Sequence, residues 1–306
     1  MAAAEMMPTS IGPYAIVRRL GRGGMAEVFL ARAFGASGFE RLVAIKTLAP
    51  ELAGEAELER ALVHEATLGA RLAHRNVRSV LGLDVATDGA YHGYYVVLEY
   101  LDGGDLATLL RAGPLPESLA LHVAHEVALG LAYLHGARDE RGLPLGIVHR
   151  DVAPANILVS TSGDTKLADL GIAKATALAD RTAAGTRKGR HAYMAPEQLA
   201  GERVSPAADQ FGLAVTLVEL LTAHRPFAGQ DADAPPWVLL EQMKDAPDLD
   251  GVAPDLVPIL EQALAPEPAA RFASGDELRR AIRDRQLSRG PAGPSELGEW
   301  ASALLR

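Results

Sequence analysis

The sequence predicts an α+β protein with a β-rich first part and a mainly helical second part. Short apolar segments with strand-like alternation dominate up to residue 98, and longer segments with helical spacing dominate from residue 106. The chain has 306 residues, 48% of them hydrophobic, which suffices for one large domain or two lobes. We predict a first lobe over residues 14–98, a hinge over 99–105 and a second lobe over 106–286.

The composition excludes several classes of function. The net charge of −9 argues against a nucleic-acid partner, because such proteins carry clustered Lys and Arg. There is no cysteine, which excludes disulfides, cysteine-based zinc sites and thiol nucleophiles. Residues 1–10 lack the features of a signal peptide, and the most apolar later segment, residues 211–223, is too short to span a bilayer. We expect a soluble, cytoplasmic protein with no membrane span.

The first lobe begins with a glycine-rich hairpin. Residues 1–13 predict a flexible tail, and residues 14–20 and 27–32 predict two strands around a turn that contains three glycines. Glycines allow backbone N–H groups to approach phosphates closely. A dinucleotide-binding turn would instead open a helix, and here a strand follows, which disfavours that alternative.

The rest of the first lobe predicts three strands and one helix. Residues 42–46 form a strand that ends on Lys46, and residues 56–72 form a helix that carries Glu65. A carboxylate on this helix could hold the lysine, although a helical glutamate is usually just solvated. Two further strands are predicted over residues 77–85 and 93–99.

Helices dominate after the double glycine at residues 103–104. They are predicted over residues 106–112, 116–135, 207–221, 236–244, 257–264 and 275–286. Two lobes leave a cleft, and ligands usually bind at such junctions. Residues 287–306 predict a linker and an amphipathic helix, which either packs back on the helical lobe or serves docking or dimerisation.

Two polar turns in the second lobe carry candidate metal ligands. The apolar runs at residues 147–148 and 157–159 predict buried strands, and the turn between them holds Asp151 and Asn156. Asp169 follows on a second tight turn. Two acids and an amide suit Mg²⁺–phosphate chemistry, because hard cations take oxygen ligands. Each of these residues is also common in ordinary turns, so their order and spacing carry the prediction.

The ordered motifs resemble those of protein kinases, in particular the bacterial eukaryotic-like (Hanks-type) serine/threonine kinases. They are Gly21-x-Gly23-x-x-Ala26-x-Val28, Val43-Ala44-Ile45-Lys46, Glu65, His149-Arg150-Asp151 with Asn156, Asp169-Leu170-Gly171 and Ala195-Pro196-Glu197. The resemblance covers residues 14–286. It implies a bilobal protein-kinase-like fold, with one helix in a β-rich N-lobe and a mainly helical C-lobe. It also implies transfer of the γ-phosphate of Mg-ATP to Ser/Thr hydroxyls of proteins.

The resemblance assigns roles to individual residues. Lys46, held by Glu65, would contact the α- and β-phosphates, and Asp151 would accept the proton of the substrate hydroxyl. Asp169 and Asn156 would bind Mg²⁺, or Mn²⁺ in its place. The other residues expected to bind ATP are Leu20, Gly21, Arg22, Gly23, Gly24, Met25, Ala26, Val28, Ala44, Glu99, Leu101, Asp105 and Leu158.

The ATP-binding residues divide by the part of the nucleotide that each would contact. The glycine-rich loop covers the phosphates, and apolar side chains, with Leu98 as gatekeeper, enclose the adenine. The Glu99 carbonyl and the Leu101 amide bind the adenine edge, and Asp105 reaches the ribose.

The resemblance also implies supporting and regulatory residues. Glu197 would pair with Arg271, and Asp209 would anchor the backbone of the catalytic loop. Arg150 beside the catalytic Asp is typical of kinases that are switched by phosphorylation of the activation loop, here at Thr186. Thr176 and Thr182 are alternatives, and Lys174 would help Arg150 to bind the phosphate. Autophosphorylation would pass through a transient dimer.

One departure from the family pattern concerns the catalytic loop. Serine/threonine kinases carry a lysine where this chain has Ala153, and tyrosine kinases carry an arginine where it has Ala155. Arg190 replaces the threonine that normally contacts the lysine, so we expect Arg190 to supply the missing charge. The alternatives are a pseudokinase-like scaffold that binds nucleotide without efficient transfer and, less favoured, a small-molecule kinase.

Overall fold

The computed structural model describes residues 7–170, 191–227, 234–290 and 292–305. These residues divide into two compact units. Unit 1 contains residues 7–73 and 78–100, and unit 2 contains residues 74–77 together with the described residues from 101 onward. Unit 1 is β-rich and unit 2 is mainly helical, which confirms the predicted α+β class with two lobes.

Unit 1 is built on an antiparallel sheet of six strands in the order β1-β2-β3-β4-β6-β5. The strands are β1 (Ser10–Ile11), β2 (Tyr14–Arg22), β3 (Ala26–Phe34), β4 (Glu40–Leu48), β5 (Val80–Ala86) and β6 (Gly93–Glu99). One face packs around Phe29, Ile45 and Tyr95. The other face packs against helix α1 (Ala56–Gly69). Because side chains alternate along a strand, Ala44 and Lys46 face the side that α1 covers.

The predicted flexible tail over residues 1–13 is wrong for its last part. Residues 10–11 pair with β2, and the Ile16 N–H donates to the Thr9 carbonyl at 2.9 Å. Ile11 is only 1% exposed and packs in the cluster around Phe29 and Tyr95. Burial of this side chain stabilises the segment as an edge strand.

Unit 2 combines a small sheet with helices. The sheet pairs β7 (Gly103–Asp105), β8 (Ile157–Ser160) and β9 (Thr165–Leu167) in that order. The core of unit 2 is formed by helices α3 (Glu117–Gly136) and α5 (Ala207–Thr222), and most of their side chains are buried. The helices are α2 (Leu106–Leu109), α3 (Glu117–Gly136), α4 (Pro196–Leu199), α5 (Ala207–Thr222), α6 (Pro236–Gln242), α7 (Val257–Ala263), α8 (Gly275–Ser288) and α9 (Pro294–Leu304).

The predicted strand at residues 147–148 is wrong. Both side chains are buried, but the segment lies outside the named strands of the described chain. The N–H groups of the next two residues, His149 and Arg150, donate instead to the Asp209 carboxylate. Two strands were missed: β7 occupies part of the predicted hinge, and β9 follows β8. Both have three residues, which is too short to give a clear alternation.

The larger helices agree with the sequence prediction to within a few residues. The segment predicted as one helix over residues 106–112 divides into α2 and the 3-10 turn Leu110–Ala112. Among the described residues, no helix is both long enough and apolar enough to cross a bilayer.

Candidate active site

The glycine-rich loop is the tight turn between β2 and β3. Gly21 lies opposite Val28, and the Gly23 N–H donates to the Ala26 carbonyl at 2.8 Å. A Cβ atom at Gly21 would meet no atom of the described residues within 4 Å. Packing within unit 1 therefore does not explain this glycine, whereas close approach of a ligand to the backbone would.

Charged side chains flank the same loop. Arg22 forms ion pairs with Glu51 and with Glu27, whose carboxylate also lies 3.3 Å from the Arg19 guanidinium. Arg22 was predicted to bind nucleotide from its place in the loop. Its side chain is engaged by carboxylates, and its backbone lies opposite Glu27 in the β2–β3 pair.

Lys46 and Glu65 form the predicted ion pair. Nζ of Lys46 lies 2.8 Å from Oε1 of Glu65, and the two side chains are 10% and 15% exposed. Strand β4 places the lysine, and α1 places the glutamate by burying Leu58 and Leu62 against the sheet. A partly desolvated, hydrogen-bonded ion pair is stronger than an exposed one, so the lysine amino group is held in one position.

The predicted adenine-binding side chains in unit 1 share one face of the sheet. Leu20 and Val28 pack against the apolar cluster that contains the fully buried Ala44. At the end of β6, the Glu99 carbonyl accepts a hydrogen bond from Nε of Arg78 at 2.9 Å. A carbonyl oxygen has two lone pairs, so this bond leaves the predicted bond to adenine possible.

Asp209 holds the backbone of the turn over residues 149–156, which is the predicted catalytic loop. Its carboxylate accepts hydrogen bonds from the N–H groups of His149 at 2.8 Å and Arg150 at 2.7 Å, and Nε2 of His135 lies 2.7 Å away. Asp209 is 1% exposed, and Arg150 has a φ of +65°. A positive φ is unfavourable for arginine, and buried charge-assisted bonds stabilise it here. This geometry confirms the predicted anchor.

Gln198 binds the other backbone polar group of Arg150, its carbonyl oxygen. Its Nε2 donates to the Arg150 carbonyl at 2.9 Å, and its Oε1 accepts from the Ala195 N–H at 3.2 Å. The backbone of Arg150 is therefore fixed at both its N–H and its carbonyl. This role of Gln198 was not predicted, because a lone glutamine in the sequence gives no signal of it.

Asn156 connects the two ends of the turn over residues 151–156. Its Nδ2 donates to the Asp151 carbonyl at 2.7 Å, and its N–H donates to the Ala153 carbonyl at 2.9 Å. Asp151 and Asn156 are 7% and 1% exposed. The amide nitrogen is used internally, so a cation at Asn156 would take the amide oxygen. Ala153 is buried, and the position carries no cation.

Asp169 follows β9 in a strained backbone conformation, with a φ of +57°. The preceding N–H, of Ala168, donates to the Asn156 carbonyl at 2.8 Å. One backbone hydrogen bond thus joins Asn156 to the residue before Asp169. A carboxylate and an amide oxygen form a donor set that fits Mg²⁺.

Asn76 and Glu126 support strand β9, which leads into this turn, and neither residue was predicted to do so. Nδ2 of Asn76 donates to Glu126 at 2.8 Å and to the Thr165 carbonyl at 3.0 Å. Burial alone would raise the pKa of Glu126, but neighbouring His125, the Asn76 amide and the Arg75 guanidinium outweigh it and lower the pKa to about 2. The position of Glu126 within the apolar face of the long helix α3 was the one sequence feature that could have indicated this role.

Glu197 and Arg271 form the predicted structural ion pair. Two parallel bonds of 2.8 Å join the guanidinium and the carboxylate, whose side chains are 0% and 3% exposed. Arg271 also donates to the carbonyls of Ala207, Ala265 and Pro266. This pair ties α4 to the first residue of α5 and to the segment between α7 and α8.

Two further predicted site residues lie in the small sheet of unit 2, and several others lie outside the described residues. Asp105 caps α2, and both of its carboxylate oxygens accept from Thr108. Leu158 lies opposite Asp105 in the β7–β8 pair. Arg190, Thr186 and the other candidates of the activation loop, Gly171, Lys174, Thr176 and Thr182, lie outside the described residues.

Residues 14–281 match the protein kinase domain family. The chain therefore belongs to the protein kinase family.

Three curated relatives illustrate the similarity. Tyrosine-protein kinase MasK of Myxococcus xanthus is 40% identical over 280 residues, which are 89% of this chain and 42% of that protein. The serine/threonine-protein kinase drp72 of Corynebacterium efficiens is 35% identical over 314 residues, covering 99% of this chain and 56% of that protein. The serine/threonine-protein kinase PknD of Mycobacterium tuberculosis is 32% identical over 289 residues, covering 92% and 41%. The chain spans about half the length of the curated relatives it matches.

Proposed function

We propose that this protein is an ATP-dependent protein kinase that transfers the γ-phosphate of Mg-ATP to Ser/Thr hydroxyls of proteins. The observation that carries the proposal is the anchoring of Asp151 and Asn156 on a turn whose backbone Asp209 and Gln198 fix. Unit 1 adds the Lys46–Glu65 ion pair that phosphate binding requires. The domain would comprise residues 14–286, and it would act in the cytoplasm, where ATP is available.

Each unit carries groups that are expected to bind the nucleotide. The amino group of Lys46 would contact oxygens of the α- and β-phosphates, and the loop around Gly21 and Gly23 would cover them with backbone N–H groups. Asp169 and the amide oxygen of Asn156 would hold divalent metal, with Mg²⁺ the expected ion and Mn²⁺ a substitute. Bound metal neutralises the negative charge of the phosphate oxygens.

Asp151 would orient the acceptor and take its proton. As the acceptor oxygen bonds to the γ-phosphorus, the bond between that phosphorus and the β–γ bridging oxygen breaks and ADP leaves. The hydroxyl proton passes to the Asp151 carboxylate. Because Asp209 holds the backbone of the loop, Asp151 does not need to reorganise during transfer, and such preorganisation lowers the barrier.

Tyrosine is the second candidate acceptor. Ala153 departs from the serine/threonine pattern, and one relative is named a tyrosine kinase. Two other relatives are named serine/threonine kinases. The sequence Tyr193-Met194-Ala195-Pro196-Glu197 also resembles that class. We therefore favour Ser/Thr and expect phosphothreonine on the loop before residue 197.

Two finer proposals concern residues outside the described part of the chain. Arg190 would supply the positive charge that a lysine at position 153 usually gives to the γ-phosphate. Loss of a transition-state cation costs on the order of 10²-fold in kcat, so an Arg190→Ala variant with unchanged kcat would refute this idea. Thr186 would be phosphorylated in a transient dimer and would then bind Arg150.

Phosphate transfer from labelled Mg-ATP to the protein itself and to a generic basic acceptor tests the proposal. Acid hydrolysis would identify the modified amino acid, with Asp151→Asn as the control. Transfer to Ser or Thr that is absent in the control supports the proposal, and phosphotyrosine alone would select the second candidate. Nucleotide binding without transfer would instead indicate a pseudokinase-like scaffold.

A further inference from the structure

Helix α9 lies beyond the part of the chain that matches the kinase family. The match ends at residue 281, and α9 spans Pro294–Leu304. The Glu296 carboxylate accepts from the Gly293 N–H at 2.9 Å and caps the helix. Leu297 and Ala301 are fully buried, so this helix is packed on unit 2 rather than appended to it.

The packed face of α9 lies directly on backbone atoms of the turn between β8 and β9. A Cβ atom at Gly298 would come within 2.7 Å of the Thr161 carbonyl oxygen, and one at Gly163 would overlap the Pro294 carbonyl. Oγ of Ser302 lies 3.4 Å from the same Thr161 oxygen. Both partners therefore have glycine where they approach most closely, as expected of a built interface.

The contact continues from this turn to strand β7. The Leu305 side chain lies 3.3 Å from the position that a Cβ atom at Gly104 would take. The Thr161 N–H donates to the Asp102 carbonyl at 2.7 Å, which joins the turn to the residue just before β7. Helix α9 and Leu305, the residue after it, thus contact the turn that follows β8 and the edge strand β7 of the β7–β8 ribbon.

This ribbon carries two of the residues predicted to bind the adenosine part of ATP. Asp105 on β7 lies opposite Leu158 on β8. Strand β7 has three residues and is an edge strand. So short a pairing is marginal without packing from another element, and α9 supplies that packing.

The linker before α9 is also anchored. Nε2 of Gln286 donates to the Ala292 carbonyl at 3.1 Å and lies 3.2 Å from Nδ1 of His122. Arg289 forms ion pairs with Glu117 at 2.7 Å and with Asp255 at 2.6 Å. A short anchored linker keeps the helix at a high effective concentration beside the ribbon.

We propose that α9 is an intramolecular brace that sets the affinity of this kinase for its nucleotide. Docked α9 fixes the β7–β8 ribbon and, with it, the positions of Asp105 and Leu158. Undocking of α9 weakens adenosine binding and raises the KM for ATP. It changes kcat little, because Asp209 and Gln198 hold the catalytic turn independently of α9. The inference rests on the proposed function, since it assigns nucleotide contacts to Asp105 and Leu158.

The test uses the full chain with Gly298→Val, which forces a side chain into the Thr161 carbonyl. Glu299→Val is the matched control, because it introduces the same residue at the next, exposed position of the helix. Leu297→Ala is a milder second variant that removes buried contacts without a clash. Trp300 lies on α9, so its fluorescence in a Trp237→Phe background reports whether the helix is docked.

We expect Gly298→Val to raise the KM for ATP and the dissociation constant of a fluorescent adenine nucleotide about tenfold, which corresponds to about 1.4 kcal/mol. Leu297→Ala should raise both by a smaller factor, while kcat stays within about twofold and Glu299→Val matches the parent. A red-shifted Trp300 emission with unchanged nucleotide affinity would overturn the inference. Failure of the parent itself to bind nucleotide or transfer phosphate would instead count against the proposed function.

Discussion

Units 1 and 2 fix their candidate site residues in different ways. In unit 2, buried side chains bind the backbone of the catalytic turn, as Asp209 does at His149 and Arg150. In unit 1, one side chain holds another, as Glu65 does for Lys46, and the glycine-rich loop is flanked by partly exposed ion pairs. Backbone anchors define the path of the chain, whereas side-chain pairs define only the position of one charged group.

This difference predicts two classes of variant. Loss of a buried anchor in unit 2 leaves unsatisfied polar groups and lowers stability and activity together. Loss of the ion pair in unit 1 leaves the sheet intact and lowers activity alone.

Glu197→Ala should be the most destabilising of these changes. It leaves the fully buried Arg271 without its carboxylate, and breaking a buried pair in this way costs about 3–5 kcal/mol in the free energy of unfolding. The double variant Glu197→Leu, Arg271→Met should lose less than Glu197→Ala, because no unpaired charge remains. Urea unfolding checks both, and a double variant less stable than the single one would contradict the account.

Asp209→Asn should lower stability and kcat together. An amide in this place presents an NH₂ group to one of the two backbone donors, which costs about 1–3 kcal/mol of stability for the unsatisfied groups. We expect kcat to fall at least about tenfold, because Asp151 follows the released backbone. Asp284→Asn, at an exposed helical position, is the control. A normal kcat in Asp209→Asn would remove the claim that this anchor positions Asp151.

Glu65→Gln should lower activity without lowering stability. It keeps the shape of the side chain and removes the charge that holds Lys46, so kcat/KM for ATP should fall about tenfold. The melting temperature should stay within a few degrees of the parent, since the apolar face of α1 is untouched. If the melting temperature fell as far as in Asp209→Asn, the proposed difference between the two units would be contradicted.

Glu126 predicts a pH dependence of stability. Its pKa is lowered to about 2 in the folded protein, below the usual value of a glutamate in an unfolded chain. Its contribution to stability is therefore complete above about pH 4.5 and is lost as the pH falls towards 2. Glu126→Gln should be less stable than the parent near pH 7, and the difference should shrink through this window. A stability difference between the two proteins that stays constant as the pH falls would refute the lowered pKa of folded Glu126.

Patterns that extend over many residues allowed much of the fold to be predicted. The long helices and the strands β2, β3, β4 and β6 were expected close to their observed positions, because each buries one regular face. The three-residue strands β7 and β9 were missed, since their pairing depends on partners remote in sequence. The apolar residues 147–148 misled the prediction, because burial does not require strand pairing when Asp209 takes the next two N–H groups.

The site was predictable to the extent that its residues lie in motifs. The Lys46–Glu65 and Glu197–Arg271 pairs were expected from the family pattern and are present. The support that Asn76 and Glu126 give to β9 was not predicted, because the two residues are far apart in sequence and neither lies in a motif that was recognised. The packing of α9 on backbone atoms likewise depends on glycines whose role appears only in three dimensions.

The most direct measurement separates nucleotide binding from phosphate transfer in the parent and in Asp151→Asn. Titration with Mg-ATP would give the dissociation constant, and rapid quenching under single-turnover conditions would give the transfer rate. We predict equal binding by both proteins, and transfer to a protein hydroxyl that is at least about 10²-fold slower in Asp151→Asn. Equal transfer rates, or a parent protein that binds Mg-ATP and transfers no phosphate, would contradict the account.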